Sequence, residues 1–504
     1  MLNHREKIKD IFKESKGLFA LTLKSCPVQD LVNIPGADKI FQSDSRTLYV
    51  LRTSHRITIN GLKATLHEFA SDKSQDFDIE CPFEFLGDVY DHYKSSISIE
   101  PLDSHKESLP TLPAFIGYLG FALTESSLNI PRQKQKFATL PDSIMEIPSL
   151  YIVADELSGR ATIISDRGEG ECLETASMIG NLKDCVSTST GAKSHGSEPE
   201  NLEMSISDQE YEKMVERTKE FVREGEAFQI VLSRRFSVNL GDLTARSLYE
   251  RVRSNSGSPY TYYLDYGSFQ YTGASPESQI KILDGVASFR ALAGTRPRGT
   301  DEAEETRMES ELTSCPKEKA EHMMLVDLGR NDLGRVCRSG SIKVKNLMSV
   351  VKYPQVMHLS TDLEGSLEES ATVFETVKSC FPRGTVSGAP KKRALEILSS
   401  MEAEQRGIYS GAVGIFDLDG GVDLAIAIRS ATIVGKRAHI QAGAGIVYDS
   451  IAKDERKETL NKAASILDLI YPSRSWRSLK PEDKEKEPAF SGASDHDHSS
   501  NRQL

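Results

Sequence analysis

The chain has 504 residues and a formal net charge of −12, with 27% charged and 7% aromatic residues. That length holds a large core and suggests two or three domains. The acidic balance argues against a nucleic-acid backbone as main partner, which needs a basic face, but leaves small acidic substrates open, since they need only local positive charge.

The opening "MLNHREKIKDIFKESKG" is charged throughout, with no apolar run behind it of the kind that makes a secretory signal. No stretch approaches the ~18 apolar residues of a membrane span. Seven cysteines (Cys26, Cys81, Cys172, Cys185, Cys315, Cys337 and Cys380) form no CxxC pair. They read as reduced thiols of a cytoplasmic protein. Residues 186–200, "VSTSTGAKSHGSEPE", are polar and rich in Ser and Gly, a linker or surface loop. Residues 472–504 lack apolar periodicity and read as a disordered tail. Two bodies remain, 1–185 and 201–471.

The second body opens on a helix signal. Ser207 and Glu210 form a capping box, Tyr211, Met214, Val215 and Val222 follow at helical spacing, and Gly225 ends the run. "FQIVLSRRFSV", "PYTYYLDY" and "HIQAGAGIVYD" read as strands. Helices and strands mix without strict alternation, which predicts an α+β class.

Candidate chemistry then appears between 273 and 462. Glu277 in "TGASPESQIKI" is a carboxylate at a turn, and "RALAGTRPRG" sets Gly294 and Thr295 before two arginines, either an anion loop or a basic turn. Glu318 and Glu321 lie at i, i+3 on a predicted helix whose apolar side is Ala320, Met323, Met324 and Leu328. Glu455 and Glu458 repeat the spacing on a second helix, with Leu460, Ala464 and Leu467 apolar. Four carboxylates on two helices could hold one Mg²⁺; two solvated helix faces, with Glu458 and Lys462 as an i, i+4 pair, are the ordinary alternative. His358 sits in an apolar-flanked strand, where a histidine is more often a satisfied core residue. Arg429, in "LAIAIRSATIV", is a charge within an apolar strand and must be paired or bind something. "FPRGTVSGAPKKRALE", residues 381–396, sets a tight glycine turn against a basic helix start, a place for an anion. Gly443 and Gly445 mark either a bulge or a close backbone approach.

Nine stretches, "SPYTYYLDYGSFQYTGASPES", "LAGTRPRG", "KEKAEHMMLVDLGRNDLGR", "YPQVMHL", "GTVSGAPKKRALE", "GIYSGAVG", "AIRSA", "QAGAG" and "KETLNKA", resemble in order and spacing the chorismate-binding enzyme family. The resemblance is dense over 205–465 and looser before it, at "LPAFIGYLGFAL". It implies layered β-sheets forming a sandwich-like core flanked by helices, with the active site in a cleft. It implies that Glu321 and Glu458 hold Mg²⁺, assisted by Glu318 and Glu455. Gly443, Ala444 and Gly445 are implied to offer backbone N–H groups to a carboxylate of chorismate, Tyr409 and Arg429 to bind its enolpyruvyl carboxylate, and Gly294 and Thr295 to meet the ring carboxylate. Glu277 matches the general acid, His358 the histidine tied to pyruvate elimination, and Thr385 lines the site.

Within the family two positions separate the branches. Gln229 stands where the water-adding branch carries a lysine base, and Ala293 where aminodeoxychorismate-forming members carry a nucleophilic lysine. The resemblance therefore implies the anthranilate-forming branch, in which ammonia attacks C2 of chorismate and pyruvate is lost. No cysteine lies in a G-x-C-x-G elbow, so a separate glutamine amidotransferase subunit is implied as the ammonia source. The family's tryptophan inhibitor site maps onto Ser43, with Gln42 beside it in place of Glu, and onto Pro259, Tyr260 and Thr261, with Thr261 in place of Met.

Overall fold

The computed structural model describes residues 4–12, 16–23, 31, 34–101, 112–131, 140–185, 202–353, 356–473 and 475–478. The expected linker at 186–200 and most of the expected tail lie outside the described residues. The tail's first residues are ordered, however. Ser475–Ser478 form a turn of 3-10 helix in which Trp476 is buried and donates through Nε1 to Asp468 at 2.9 Å.

Two long strands, Arg46–Asn60 and Ser143–Asp155, organise the sheets. They pair antiparallel from Arg46 opposite Asp155 to Ile59 opposite Ser143, and the register shifts repeatedly between Val50 and His55. Such bulges bend and twist a strand pair. The pair thus serves two sheets, one on each side of the bend. From the Arg46 end the first sheet continues through Lys39–Ser43, Tyr260–Asp265, Gln270–Ser275, Ser430–Val434, Arg437–Ile446 and Gln229–Asn239. From the other end the second continues through Pro113–Leu119, Ala412–Asp417, Val422–Ile426, Ser278–Leu283, Val286–Pro297, Val356–Ser366 and Lys343–Lys352. Among the described pairings only Lys16–Leu23 with Ile97–Pro101 is parallel. The α+β sandwich read from the sequence is therefore present as antiparallel layers joined through shared strands.

The stretches before and after 186–200 share this framework. Lys39–Ser43 pairs with Tyr260–Asp265, and Pro113–Leu119 with Ala412–Asp417. The main core is continuous as well: Phe115 from the first stretch packs edge-on against Phe416, which stacks on Phe374 at 4.5 Å. Residues far apart in sequence share that apolar burial, while a second cluster, from Leu202 and Phe236 to Leu467 and Trp476, belongs to the later stretch alone.

Ser207 caps the Asp208–Arg223 helix with both halves of the expected capping box. The helix Pro316–Leu333 departs from expectation. It buries His322, Leu325, Val326, Gly329, Asp332 and Leu333, while Ala320 and Met323 are exposed. The buried stripe is set by what the helix meets: Gly329 lies against the Phe289 ring, and His322 reaches Thr361 at 2.5 Å. None of the described helices is long and apolar enough to cross a membrane.

Candidate active site

A cavity of about 690 Å³ opens where the ends of the two sheets face each other. One wall comes from Val286–Pro297 and Val356–Ser366, the opposite wall from Gln229–Asn239 and Arg437–Ile446. The helices Pro316–Leu333 and Ala452–Ile470 flank it with Glu318, Glu321, Glu455 and Glu458. Glu277, Gly294, Thr295, His358, Thr385, Tyr409, Arg429, Gly443 and Gly445 also line it. Every site residue implied by the resemblance is here except Ala444 and the four of the inhibitor site.

Ala444 is excluded by strand alternation. Its methyl points to the opposite face, into an apolar cluster with Ile230, Leu232 and Ile446. Only its backbone belongs to the cavity wall. The glycines on either side have the reverse orientation. The ladder between Gln229–Asn239 and Arg437–Ile446 runs without a register shift, so no bulge is present and close approach is the reason for them. A Cβ on Gly445 would lie 2.6 Å from Gln229 Nε2, and one on Gly443 would lie 3.0 Å from the Tyr409 hydroxyl. Strand Ser430–Val434 pairs with this ladder only as far as Ile440, which leaves the far edge of Gln441–Ile446 without a strand partner among the described residues. Backbone groups on such an edge are available to a ligand.

Glu277 is buried beside the turn at Pro276, and its backbone carbonyl accepts from Ile426 at 3.0 Å. Burial pushes its carboxyl up to about 7, against the opposing influence of Arg383, Thr385 and Lys462. Thr385 Oγ1 donates to Glu277 Oε1 at 3.1 Å. A carboxyl that still holds a proton near neutrality is suited to general acid work. Thr385 sits on the short helical turn Gly384–Ser387, the heart of the "GTVSGAP" stretch. The basic residues after that turn do not face the cavity. Lys391 pairs with Asp332 at 2.8 Å, and Arg393 with Glu226 and with Glu396 at 2.8 Å. The anion-receiving charge expected at this helix start is used inside the protein instead. The arginines after Thr295 are also paired: Arg296, which lines the cavity, with Glu318 at 3.2 Å, and Arg298 with Glu305 at 2.8 Å.

His358 is a cavity residue, not a core one. Its Nδ1 lies 2.8 Å from the Gly294 carbonyl and 3.1 Å from Thr295 Oγ1. The carbonyl can only accept, so Nδ1 carries the proton and Nε2 keeps a lone pair. Burial holds the imidazole below its ordinary value; the Gly294 contact opposes this, and the charges of Arg429 and Lys462 add to it. Gly294 has a φ of +63°, and a Cβ there would lie 2.8 Å from Glu318 Oε2. Arg429 also adopts a positive φ, 52°, in the bend between strands Val422–Ile426 and Ser430–Val434, not within the one continuous strand expected, and among the described residues its guanidinium has no ion-pair partner. Tyr409 is placed through Arg406, which is fully buried. Arg406 donates to Val231, Val386 and Ser410 at 2.6–3.1 Å and pairs with Glu402 at 2.7 Å, tying three wall segments together.

The four glutamates share one cavity but are separately engaged. Lys317 lies 3.8 Å from Glu321, Lys462 2.6 Å from Glu458, and Arg296 holds Glu318. Burial, then repulsion from Glu318, Glu455 and Glu458, pushes the Glu321 carboxyl up, with Lys317 opposing. Among the described residues no three acidic, histidine or cysteine side chains converge closely enough to hold a metal. The donor set is nonetheless that of a hard cation, which takes a few carboxylates and completes its shell with water and ligand oxygens. Sequence reasoning passed over Lys317, Asn461 and Gln441, all cavity residues. Nothing in their local pattern marks them, because only the meeting of two helices with the sheet edge brings them inward.

The inhibitor-site residues are elsewhere. Ser43 stands opposite Tyr260, and Gln42 opposite Thr261, on adjacent strands. Ser43 Oγ and the Tyr260 hydroxyl both donate to Asp423, at 2.5 and 2.9 Å, and Thr261 donates to Gln42 at 3.0 Å. Lys281 completes the cluster, 3.4 Å from Asp423 and 2.9 Å from Asp44.

Residues 48–468 match the model of the chorismate binding enzyme family. Anthranilate synthase component 1 of Aquifex aeolicus (strain VF5) is 34% identical over 408 residues, covering 76% of this chain and 82% of that protein. The protein of the same name from Pseudomonas putida is 35% identical over 410 residues, covering 78% and 80%. Among solved structures, anthranilate synthase component I from Streptococcus pneumoniae TIGR4 superposes with a TM-score of 0.72 at 31% identity, over 84% of this chain and 92% of that one.

Proposed function

Since the chain belongs to the chorismate-binding enzyme family, we propose that it converts chorismate and ammonia to anthranilate, the first step of tryptophan biosynthesis. The observation that supports the reading best is the composition of that cavity. It combines a buried acid at Glu277, an unpaired guanidinium at Arg429, an imidazole lone pair at His358 and four carboxylates on two helices.

Chorismate is a dicarboxylate. Arg429 and Tyr409 receive the enolpyruvyl carboxylate, where a guanidinium offers a paired set of donors. The free edge at Gly443–Gly445 and the loop at Gly294–Thr295 receive the ring side. Ammonia's lone pair forms the C2–N bond, the ring double bonds shift, and the C4–O bond breaks. Glu277 gives its proton to that oxygen, which leaves as water. His358, through Nε2, takes the C2 proton as the bond from the ring to the enolpyruvyl oxygen breaks and the ring becomes aromatic; the released enolpyruvate takes up a proton at its methylene carbon and is pyruvate. Glu321 and Glu458, assisted by Glu318 and Glu455, would hold Mg²⁺, which when bound supplies Lewis-acid neutralisation of the ring carboxylate.

Gln229 lies against Gly445 and offers no base to water, and Ala293 offers no amine to the ring, so ammonia is the nucleophile. A separate glutamine amidotransferase subunit supplies it, because no cysteine of this chain has a nucleophile-elbow setting. Tryptophan would act at the cluster of Ser43, Pro259, Tyr260 and Thr261, where its ammonium would compete with Lys281 for Asp423.

The test is incubation of the purified chain with chorismate, Mg²⁺ and ammonium, with products identified by mass and by fluorescence. Anthranilate and pyruvate in equal amounts are expected, with none formed when glutamine replaces ammonium. Isochorismate or a 4-amino product would overturn the assignment.

A further inference from the structure

One charge beside the cavity has no place in the reaction as described. Arg383, immediately before the Gly384 turn, is 3% exposed. Its guanidinium lies over the Phe289 ring, 3.4 Å from the centroid, and its Nε and Nη1 find no acceptor among the described residues. A buried cation without acceptors is costly, and arginine does not shed its proton to escape that cost. The nearby buried lysine does not change the balance. Lys391 is matched by Asp332 at 2.8 Å, so that pair is neutral and the charge of Arg383 is left over. The carboxyl that can offset it is Glu277, held by Thr385 two residues along the same turn.

We propose that Arg383 is a positioning residue for Glu277: a fixed buried cation that stabilises the carboxylate left each time Glu277 gives its proton to the departing hydroxyl. The inference rests on the reading of Glu277 as the general acid. Burial raises the Glu277 carboxyl to about 7, and Arg383 is the foremost of the groups opposing that rise, ahead of Thr385 and Lys462. The remaining charged or titratable groups facing Glu277 are Tyr353, His358 and Arg429. Burial raises the Tyr353 phenol, so it stays neutral. Lys462 is engaged by Glu458 at 2.6 Å and by the Gly443 carbonyl at 2.8 Å. Arg429 is directed to substrate, which brings its own negative charge. Among these groups Arg383 alone combines burial, an Nε and Nη1 without an acceptor among the described residues, and a plane fixed by an aromatic face.

The test compares Arg383→Met, which keeps the length and the apolar contact with Phe289, with Arg383→Lys, which keeps the charge. The turnover number is followed against pH at constant free ammonia and saturating chorismate. The wild type should lose activity as pH rises through the Glu277 transition, since only the protonated form is an acid. In Arg383→Met that alkaline limb should move up by about one pH unit or more. Its turnover on the acidic plateau should fall roughly threefold, because a weaker acid transfers its proton less readily. KM for chorismate should hold, and Arg383→Lys should restore the wild-type limb. Should Arg383→Met not fold, Arg383→Gln is read in the same way. A uniform loss at every pH, with the limb in place, assigns Arg383 a merely structural role and overturns the inference. Glu277→Gln separates the two readings. A limb that survives in that variant overturns the acid assignment and this inference with it. A limb lost in Glu277→Gln but unmoved in Arg383→Met overturns this inference alone.

Discussion

Around Asp423 the polar groups satisfy one another; around Glu277 several are left waiting. Ser43, Tyr260 and Lys281 all converge on Asp423, and Lys281 also reaches Asp44. Among the described residues Arg429 has no ion-pair partner in the cavity, the Glu277 carboxyl has Thr385 alone as a hydrogen-bond partner, and His358 hydrogen-bonds through Nδ1 only. The two clusters share a strand. Asp423 belongs to Val422–Ile426, and the last residue of that strand donates its N–H to the Glu277 carbonyl. A buried polar group that folding leaves unpaired costs stability and persists where something else uses it. The comparison therefore separates residues that hold the fold from residues that await a ligand, although the family resemblance names both kinds.

The strongest way to break that distinction is Glu277→Gln. Loss of a positioned acid typically costs about 10²–10⁴ in turnover. Stability should change in the opposite sense. A carboxyl whose folded value is raised to about 7 contributes stability below its unfolded value, and that contribution is lost as pH rises through 7. Glutamine never ionises, so the variant should be more stable than the wild type at pH 8, by about 1–3 kcal/mol, with the gap closing below about pH 5. Denaturant unfolding at the two pH values checks this. A variant that is equally inactive and less stable at pH 8 would place Glu277 among the structural groups.

Next in size is His358→Met. Attack at C2 and loss of pyruvate are separate steps, and the proposal gives the second to His358, whose Nδ1 is held by the Gly294 carbonyl. Anthranilate formation should fall by about 10², chorismate consumption by much less, and the aminated enolpyruvyl intermediate should accumulate to a level seen by mass. Parallel losses with no intermediate would move His358 to binding or to the first step.

How far these roles were legible in the sequence depends on how local their causes are. The Ser207 capping box and the strands Gln229–Asn239 and Arg437–Ile446 follow from short-range pattern, and the structure has them. The two glutamate pairs were visible as i, i+3 spacings. The buried stripe of Pro316–Leu333 was not, because contacts with Phe289 and Thr361, neither of them near in sequence, decide which side is inside in a helix whose polar and apolar residues are poorly segregated. The basic run at Lys391 misled for the same reason: Asp332 is a partner 59 residues away. Ala444 shows the period-2 rule at its plainest, since a stretch named as a unit in the resemblance divides into two glycines facing the cavity and one methyl facing away. The joining of 1–185 to 201–471 was the least legible of all. It depends on pairings between distant strands, Lys39–Ser43 with Tyr260–Asp265 and Pro113–Leu119 with Ala412–Asp417, and no local pattern encodes those.

A smaller effect is expected at the satisfied cluster. Ser43→Ala leaves one acceptor site on the mostly buried Asp423 unfilled, at a cost of about 1–2 kcal/mol in unfolding free energy. Turnover should hold within about twofold, since Ser43 is outside the cavity. A tenfold loss of turnover with unchanged stability would show that the cluster acts on the site.

The smallest effect, and the sharpest test of the comparison, is Lys281→Met. Asp44 is largely solvent-exposed and Lys281 partly so, and such pairs contribute only about 0–1 kcal/mol. The informative part is Asp423. Burial raises its carboxyl, and Lys281 is the first of the groups opposing that rise, ahead of Ser43 and Tyr260. Without the lysine the carboxyl should rise further. Because its folded value then stands further above its unfolded one, the variant should match the wild type at low pH and fall behind as pH rises through the Asp423 transition. Melting temperatures measured across pH 4 to 8 read this directly, with the deficit confined to the upper range. Turnover should be unaffected across that range, because Val422–Ile426 is held on both sides by strands that Lys281 does not need in order to pair. If turnover instead follows the melting curve, the strand that joins the two clusters transmits charge at Asp423 to the backbone of Glu277, and the separation between holding residues and waiting residues fails at that strand.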